Sequence, residues 1–312
     1  MPLIGTRKYP KGPSLRHLDT HIFNLSGARV KFLAPEHYHD AIAATPPRKC
    51  DFNLYDRGLF NRFEEKNLSE PPTLWLKLKR WRFKGVPLLD GTGVLGDMTI
   101  EITVSDMPEF SPLFRPKHLE GAIERYIYSS SEAYRISGEC RMGWKVHNIN
   151  DVVWVAYHSN GYPGYRNAEK CYESVWHTPI TDQHLLTVRF DQVIRKKRTR
   201  LAEVYQNIIN KVMSSFEIQL SSDSQSQLDA IKRNFPCETL SETLPPYEFE
   251  EIDILGRLDL INQVSAENNH DFSIPDDVFE EQVQKKDRDQ KRKAKDIKEK
   301  ILASHLRFKE MK

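Results

Sequence analysis

Along several stretches of this chain apolar and polar side chains alternate, and in one place the apolar ones recur at helical spacing instead. From Ile136 the apolar positions Cys140, Met142, Trp144 and Val146 fall on every second residue, with Arg135, Glu139, Arg141 and Lys145 between them. A period of two belongs to a strand with one dry face and one wet face. Met98, Ile100, Ile102 and Val104 share a face in the same way, opposite Thr99, Glu101 and Thr103, and Leu186, Val188 and Phe190 repeat the pattern within His184–Phe190. Tyr172–His177 reads as a further strand. Val152–Tyr157 is apolar throughout, as expected for a strand central in its sheet.

Thr73–Lys84 is also a strand, with a change of phase. Leu74, Leu76 and Leu78 share one parity and Trp81 and Phe83 the other, so a bulge is expected near Arg80. A short strand is predicted over Arg29–Leu33, behind a turn at Ser26-Gly27, and Asp90-Gly91-Thr92-Gly93 has the residues of a hairpin turn. Pro116 is placed to open a helix over Lys117–Tyr128, where Leu119, Ile123, Tyr126 and Ile127 recur at helical spacing. After the basic turn Arg195–Arg200, the residues Leu201, Val204, Tyr205, Ile208, Ile209, Val212 and Phe216 form one stripe roughly 100° wide. Such a helix must lie across a sheet face. The fold class is therefore α+β: a twisted antiparallel sheet with a long amphipathic helix packed across one face.

The same pattern divides the chain into an irregular N-terminal segment (1–28), an α+β sandwich domain (29–220), a linker with a short packed helix over Ile252–Val264 (221–275), and a charged, partly solvated helical tail (276–312). Ser221–Ser226 reads as the polar linker. With 312 residues and 39% hydrophobic side chains, the chain can bury a proper core. The net charge of +2 is unevenly spread: residues 276–312 carry 12 Lys/Arg against 9 Asp/Glu, which leaves 34 against 35 elsewhere. The body is thus neutral and the tail carries the excess.

Cys50, Cys140, Cys171 and Cys237 lie far apart with no CxxC pair, which indicates neither a zinc site nor a disulfide framework. No cofactor is indicated. No stretch approaches the length of an apolar membrane span, and the N-terminus has no apolar core of a signal peptide. The expected compartment is the cytoplasm.

Candidate chemistry is sparse. His17, Asp19 and His21, followed by Glu36, His37, His39 and Asp40, hold metal-ligating residue types without the spacing of a three-ligand site. Trp75, Lys77, Lys79, Arg80, Trp81, Arg82 and Lys84 interleave cations with aromatic platforms, as single-strand nucleic-acid binders do; the competing reading is an edge strand guarded by lysines. The tail from Lys285 to Lys312 offers cations with acids mixed among them. His177, Asp182 and His184 have the residue types of an acid/base pair. No GxSxG elbow, Walker A loop, GxGxxG or HExxH occurs.

Three features together resemble the PsbP-like group, in particular the DcrB-like proteins of bacteria. They are the early strand ending in proline (Val30-Lys31-Phe32-Leu33-Ala34-Pro35), the hairpin ahead of a helix, and the late strand Leu185–Phe190 feeding a helix that ends Val212-Met213-Ser214-Ser215-Phe216. The resemblance runs from Arg29 to Leu220 and departs at residues 46–72 and after Leu220. It implies a non-enzymatic binding scaffold, of which several are adaptors or immunity-type proteins of bacterial type VI secretion. It brings no catalytic residues. The surface this implies is the loop region Tyr157, His158, Asn160, Tyr162, Tyr165 and Arg166, because Tyr and Arg anchor interfaces at low entropic cost. The expectation is a cytoplasmic protein that binds a partner protein. The alternatives are a nucleic-acid binder using strand 75–84 and the tail, and a metal-dependent hydrolase using the N-terminal histidines.

Overall fold

A computed structural model of the chain describes residues 5–36, 48–60, 71–86, 93–134, 139–160 and 168–248. These fall in one of two compact units, Met1–Arg62 with Ser69–Phe249; the other, Phe63–Leu68 with Glu250–Lys312, lies outside the described residues. The helix expected over Ile252–Val264 and the charged tail lie outside them too, as does the turn at residues 90–92.

The described chain is α+β, mostly strand. In order it forms β1 (Leu18–Leu25), β2 (Ala28–Pro35), β3 (Lys49–Phe52), β4 (Thr73–Lys84), β5 (Val94–Asp106), α1 (Pro116–Tyr134), β6 (Glu139–Cys140), β7 (Met142–Ile149), β8 (Val152–Asn160), β9 (Lys170–Pro179), β10 (His184–Ile194), α2 (Leu201–Met213), β11 (Glu217–Gln219), α3 (Ser222–Asn234) and β12 (Tyr247–Glu248). The larger sheet has six strands in the order β4-β5-β10-β9-β8-β7, every pair antiparallel. The smaller has the order β11-β2-β1-β3, with β1 and β3 parallel, and β12 pairs with β6 as a two-stranded ribbon.

The two faces of the six-stranded sheet are covered differently. On one face Ile100, Ile102, Val104, Leu186, Val188 and Phe190 meet Phe23, Val30 and Phe32 of the smaller sheet in one core. Helix α2 closes that core with Leu201, Tyr205, Ile208, Ile209 and Val212, all at most 2% exposed. The Tyr205 ring meets Phe83 edge-on at 4.9 Å, and Phe216, just past the helix, stacks on Phe32 at 4.9 Å. On the other face, α1 brings Tyr126 edge-on to His177 at 4.8 Å.

Four sequence expectations are corrected. The segment 1–28 is not irregular throughout, because β1 occupies its last third and pairs with β2 across Ser26-Gly27, both at positive φ (49° and 90°). Asp19 and His21 on its inward face, and Leu18 and Ile22 on its outward one, hide the alternation of Asp19, His21, Phe23 and Leu25. Ser221–Ser226 is not a linker: Ser221 caps α3, its hydroxyl accepting from the Ser224 amide at 3.1 Å, which is how serine favours a helix start. In β4 the registers shift at Trp75/Lys77 and Phe83/Lys84, not at Arg80. The bulge at Leu76 lets Leu74 and Leu76 and then Lys77, Lys79, Trp81 and Phe83 all turn inward. Finally, β8 is the strand next to the edge, and Val153 is 44% exposed.

Candidate functional site

The alternation of β4 divides its basic and aromatic residues between two environments. Lys77 and Lys79, 6% and 3% exposed, and Trp81, 1% exposed, point toward the smaller sheet, so they form no exposed stacking platform. Inward-pointing charges on an edge strand also discourage pairing with another chain. Trp75 is half-buried. Arg80 and Arg82 project from the opposite face, and Lys84 is exposed at the strand end.

Arg80 and Arg82 converge on Asp97 of β5, the cross-strand partner of Arg82. Asp97 accepts from Arg82 Nε at 3.2 Å and from Arg195 Nε at 2.9 Å, with Arg80 Nη2 at 3.6 Å. Three guanidiniums thus face one carboxylate that is itself 3% exposed. Arg195 opens the basic turn, its amide bonded to Leu95 O at 2.8 Å, so the turn sits at this end of the sheet.

Other cations arrive at the same end from distant parts of the chain. Lys11 and Lys84 exchange backbone hydrogen bonds at 2.9 Å, and the Arg200 amide bonds to Arg7 O at 3.1 Å. Lys197 meets Glu169 at 3.6 Å and Arg200 meets Glu203 at 2.7 Å. Arg7, Lys8, Lys11, Lys84, Lys170, Lys197, Arg198 and Arg200 are exposed, together with Tyr9 at 60%. Helix α2 begins here without a side-chain cap, so its first amides add positive potential. The neutral body expected from charge counting therefore carries a basic end, assembled from segments far apart in sequence.

Of the loop residues expected to form a binding surface, Tyr162, Tyr165 and Arg166 lie outside the described residues. Tyr157 is not on the surface: it is 2% exposed, stacked 5.6 Å from His177. Its side chain shares the α1-covered face with His177, so the alternation of β8 directs it inward. His158 is held by Ser174 Oγ at 2.9 Å, and Asn160 is half-buried at the strand end.

His177 and His184 do not form a pair, because the register sends them to opposite faces of the sheet. His177 lies between Thr187 Oγ1 at 2.9 Å and Tyr157 Oη at 3.3 Å, and burial holds its pKa down at about 3. His184 lies 2.7 Å from Thr181 Oγ1 and 3.0 Å from Leu54 O, also lowered by burial. Asp182 accepts from Ser111 Oγ at 3.3 Å. These are structural roles. Beside His177, Arg189 pairs with Glu101 and Asp191, while burial pushes Glu173, the cross-strand neighbour of Asp191, up to about 7.

The N-terminal histidines separate as well. His17 is exposed, whereas His21 is 1% exposed and stacked on Phe32 at 4.9 Å; His37, His39 and Asp40 lie outside the described residues. Among the described residues no three His, Cys, Asp or Glu side chains come together as a metal site. No helix among them is long and apolar enough to cross a membrane.

No family model and no curated protein matches the chain. Among solved structures it is similar to the cyanobacterial PsbP (CyanoP) of Synechocystis sp. PCC 6803, at 12% identity over 70% of this chain and 97% of that one, with a TM-score of 0.33. A protein of Bacteroides thetaiotaomicron VPI-5482 is similar at 10% identity over 63% of both chains, with a TM-score of 0.20.

Proposed function

We propose that the chain is a non-enzymatic binding protein that recognises the acidic surface of a partner protein at the basic end of its six-stranded sheet. One observation carries this reading. The Arg7–Lys11 segment, the end of β4 and the Arg195–Arg200 turn bring their cations together beside the start of α2. A field of one sign steers an oppositely charged partner and sets its orientation. Asn160 at the end of β8 and Lys170 at the start of β9 lie at this same end. An adaptor or immunity-type role in bacterial secretion, exercised in the cytoplasm, is the finer form of the proposal; its support is the resemblance of strand and helix motifs alone.

Nucleic acid is the second reading, favoured by the uncapped start of α2 beside exposed lysines and arginines, an arrangement suited to phosphates. The hydrolase reading gains nothing from His21, which is enclosed against Phe32.

The test is gentle purification of the tagged wild type and of the double variant Lys197→Glu, Arg198→Glu from the native host, followed by titration of whatever co-purifies. A stoichiometric protein whose affinity falls with added salt and with the double variant supports the proposal. A partner indifferent to both overturns the assignment to this end. Tight binding of labelled single-stranded or duplex DNA, with a steep salt slope, moves the function to the second reading.

A further inference from the structure

The two ends of the six-stranded sheet differ in charge. Strand β10 runs from His184 to Ile194, and its 11 residues span about 35 Å. The basic end starts where β10 finishes, at Arg195. At the other end of the strand lies Asp106, the last residue of β5 and the cross-strand partner of His184, its carboxylate 3.8 Å from the His184 ring. Asp182, half-buried, sits in the turn that leads into β10. The loop over residues 53–60 reaches this end too, because the Leu54 carbonyl lies 3.0 Å from His184 Nε2. From that loop Tyr55, 60% exposed, sets its ring edge-on to His184 at 5.5 Å, and Leu59 is 37% exposed. After burial, the carboxylates of Asp182 and Asp223 are what raise the pKa of the Tyr55 hydroxyl, so both stand close to it.

Asp56 and Asp223 are exposed, with Arg57 as a cation of the same loop. The ten residues that follow Phe60 in the sequence carry three Asp/Glu and two Lys/Arg, so their composition does not reverse the sign. Lys232 and Arg233 stand in the last turn of α3, about 14 Å of helix beyond Asp223. At the basic end Tyr9 is also 60% exposed, with Lys8 Nζ 5.6 Å from its ring centre; Glu169 and Glu203 there are already paired with Lys197 and Arg200. Each end thus presents an exposed tyrosine, a residue suited to interfaces, where one sign of charge prevails. The ends share the axis of β10, so a second copy displaced along that axis brings the acidic end of one molecule against the basic end of the next. Opposite potentials orient such an encounter, and like ends repel.

We infer that the acidic partner of the basic end is a second copy of this chain, whose Tyr55, Asp56 and Asp223 dock against Tyr9, Lys197 and Arg198. The inference rests on the reading of the basic end as a protein-binding surface and names its occupant. The two patches differ, so the contact is heterologous and leaves one acidic and one basic end free for further copies.

The test is sedimentation velocity of the full chain over a range of concentrations, at low and at moderate salt. The wild type is expected to sediment faster as concentration rises, and added salt to shrink that shift. Lys197→Glu with Arg198→Glu, and separately Asp56→Asn with Asp223→Lys, should each weaken self-association about tenfold or more. Asparagine retains the bond that Asp56 accepts from the Gly58 amide, so the loop keeps its turn. An equimolar mixture of the two variants should associate again, because it joins one intact acidic end to one intact basic end. Should the aspartate variant fail to fold, Tyr55→Ser takes its place, with the same weakening expected. A wild type that stays monomeric at low salt overturns the inference, as does self-association that either variant leaves unchanged or that the mixture fails to restore. A monomeric wild type that still binds a different acidic protein, lost on Lys197→Glu with Arg198→Glu, overturns the second copy alone and keeps the basic-end reading. A monomer that binds no acidic protein overturns both.

Discussion

The hydroxyl of Tyr205 occupies the space a side chain on Gly96 would take. It donates to Val193 O at 2.9 Å, and a Cβ on Gly96 would lie 2.4 Å from that oxygen and 2.3 Å from Val193 O itself. The close approach seats α2 on β5 and β10. Gly96→Ala should therefore destabilise the protein by about 2 kcal/mol or more, since the carbonyl cannot move without breaking the β10 ladder. Tyr205→Phe should cost about 1 kcal/mol, the worth of one buried hydrogen bond. Urea unfolding of both variants checks the order; an Ala variant as stable as wild type would show that α2 is free to shift.

Asp97 should matter more than an ordinary surface carboxylate. Asp97→Asn leaves Arg80, Arg82 and Arg195 facing one another around a buried amide. Because the arginines are partly exposed, the loss should be about 2–3 kcal/mol, below that for a fully buried pair. Added salt should recover part of it by screening. Unfolding at low and high salt measures both effects, and a loss unchanged by salt would mean that packing, not charge, is responsible.

Burial raises Glu173 from the ordinary carboxylate value of 4.5 to about 7, with Asp191 and Glu101 adding to the effect and Arg189 opposing it. Between those values the folded protein holds a proton that the unfolded chain has lost. The stability contribution is thus complete below 4.5 and lost as pH rises toward 7. Glu173→Gln removes this dependence. Its stability relative to wild type should climb by up to about 1.4 kcal/mol per pH unit over that interval and then level off. A difference that stays constant from pH 4 to pH 8 would refute the assignment.

The histidines act in the opposite sense. Burial lowers His177 and His21 to about 3, with Lys79 and Lys77 adding to the effect on His21. Below pH 6.5 the unfolded chain gains protons that the folded protein refuses, so stability is present above that value and falls as pH drops. Burial also lowers His118, His147, His158 and His184, which therefore add to the fall. Glu173 offsets part of it down to its ordinary value of 4.5 and none below. Tm measured in phosphate-free buffers should drop below pH 6 and steepen under pH 4.5; a Tm flat to pH 4 would mean that these rings are hydrated.

Much of the sheet was legible because a strand with one dry face writes a period of two into its residues. The apolar faces of β5 and β10 follow that rule, the stripe of α2 follows the helical period instead, and β4 spans the predicted Thr73–Lys84. The smaller sheet was less so. Its β3 has only four residues, and β1 carries the polar Asp19 and His21 on its inward face. The start of α3 was hidden for a related reason, since the serines that cap a helix also make linkers.

What the sequence determined by itself is the α+β class and the inward stripes of its long elements, because both follow from periodicities that local geometry imposes on the chain. Tertiary structure alone decided where the charges act. The bulge at Leu76 turned Lys77, Lys79 and Trp81 inward and left Arg80 and Arg82 to Asp97, and register set His177 and His184 on opposite faces. Likewise, the basic end exists only because Arg7, Lys11, Lys84 and Arg195–Arg200 meet at one edge of the sheet. A one-residue shift of register reverses every side chain after it, and no count of residues along the chain contains that information.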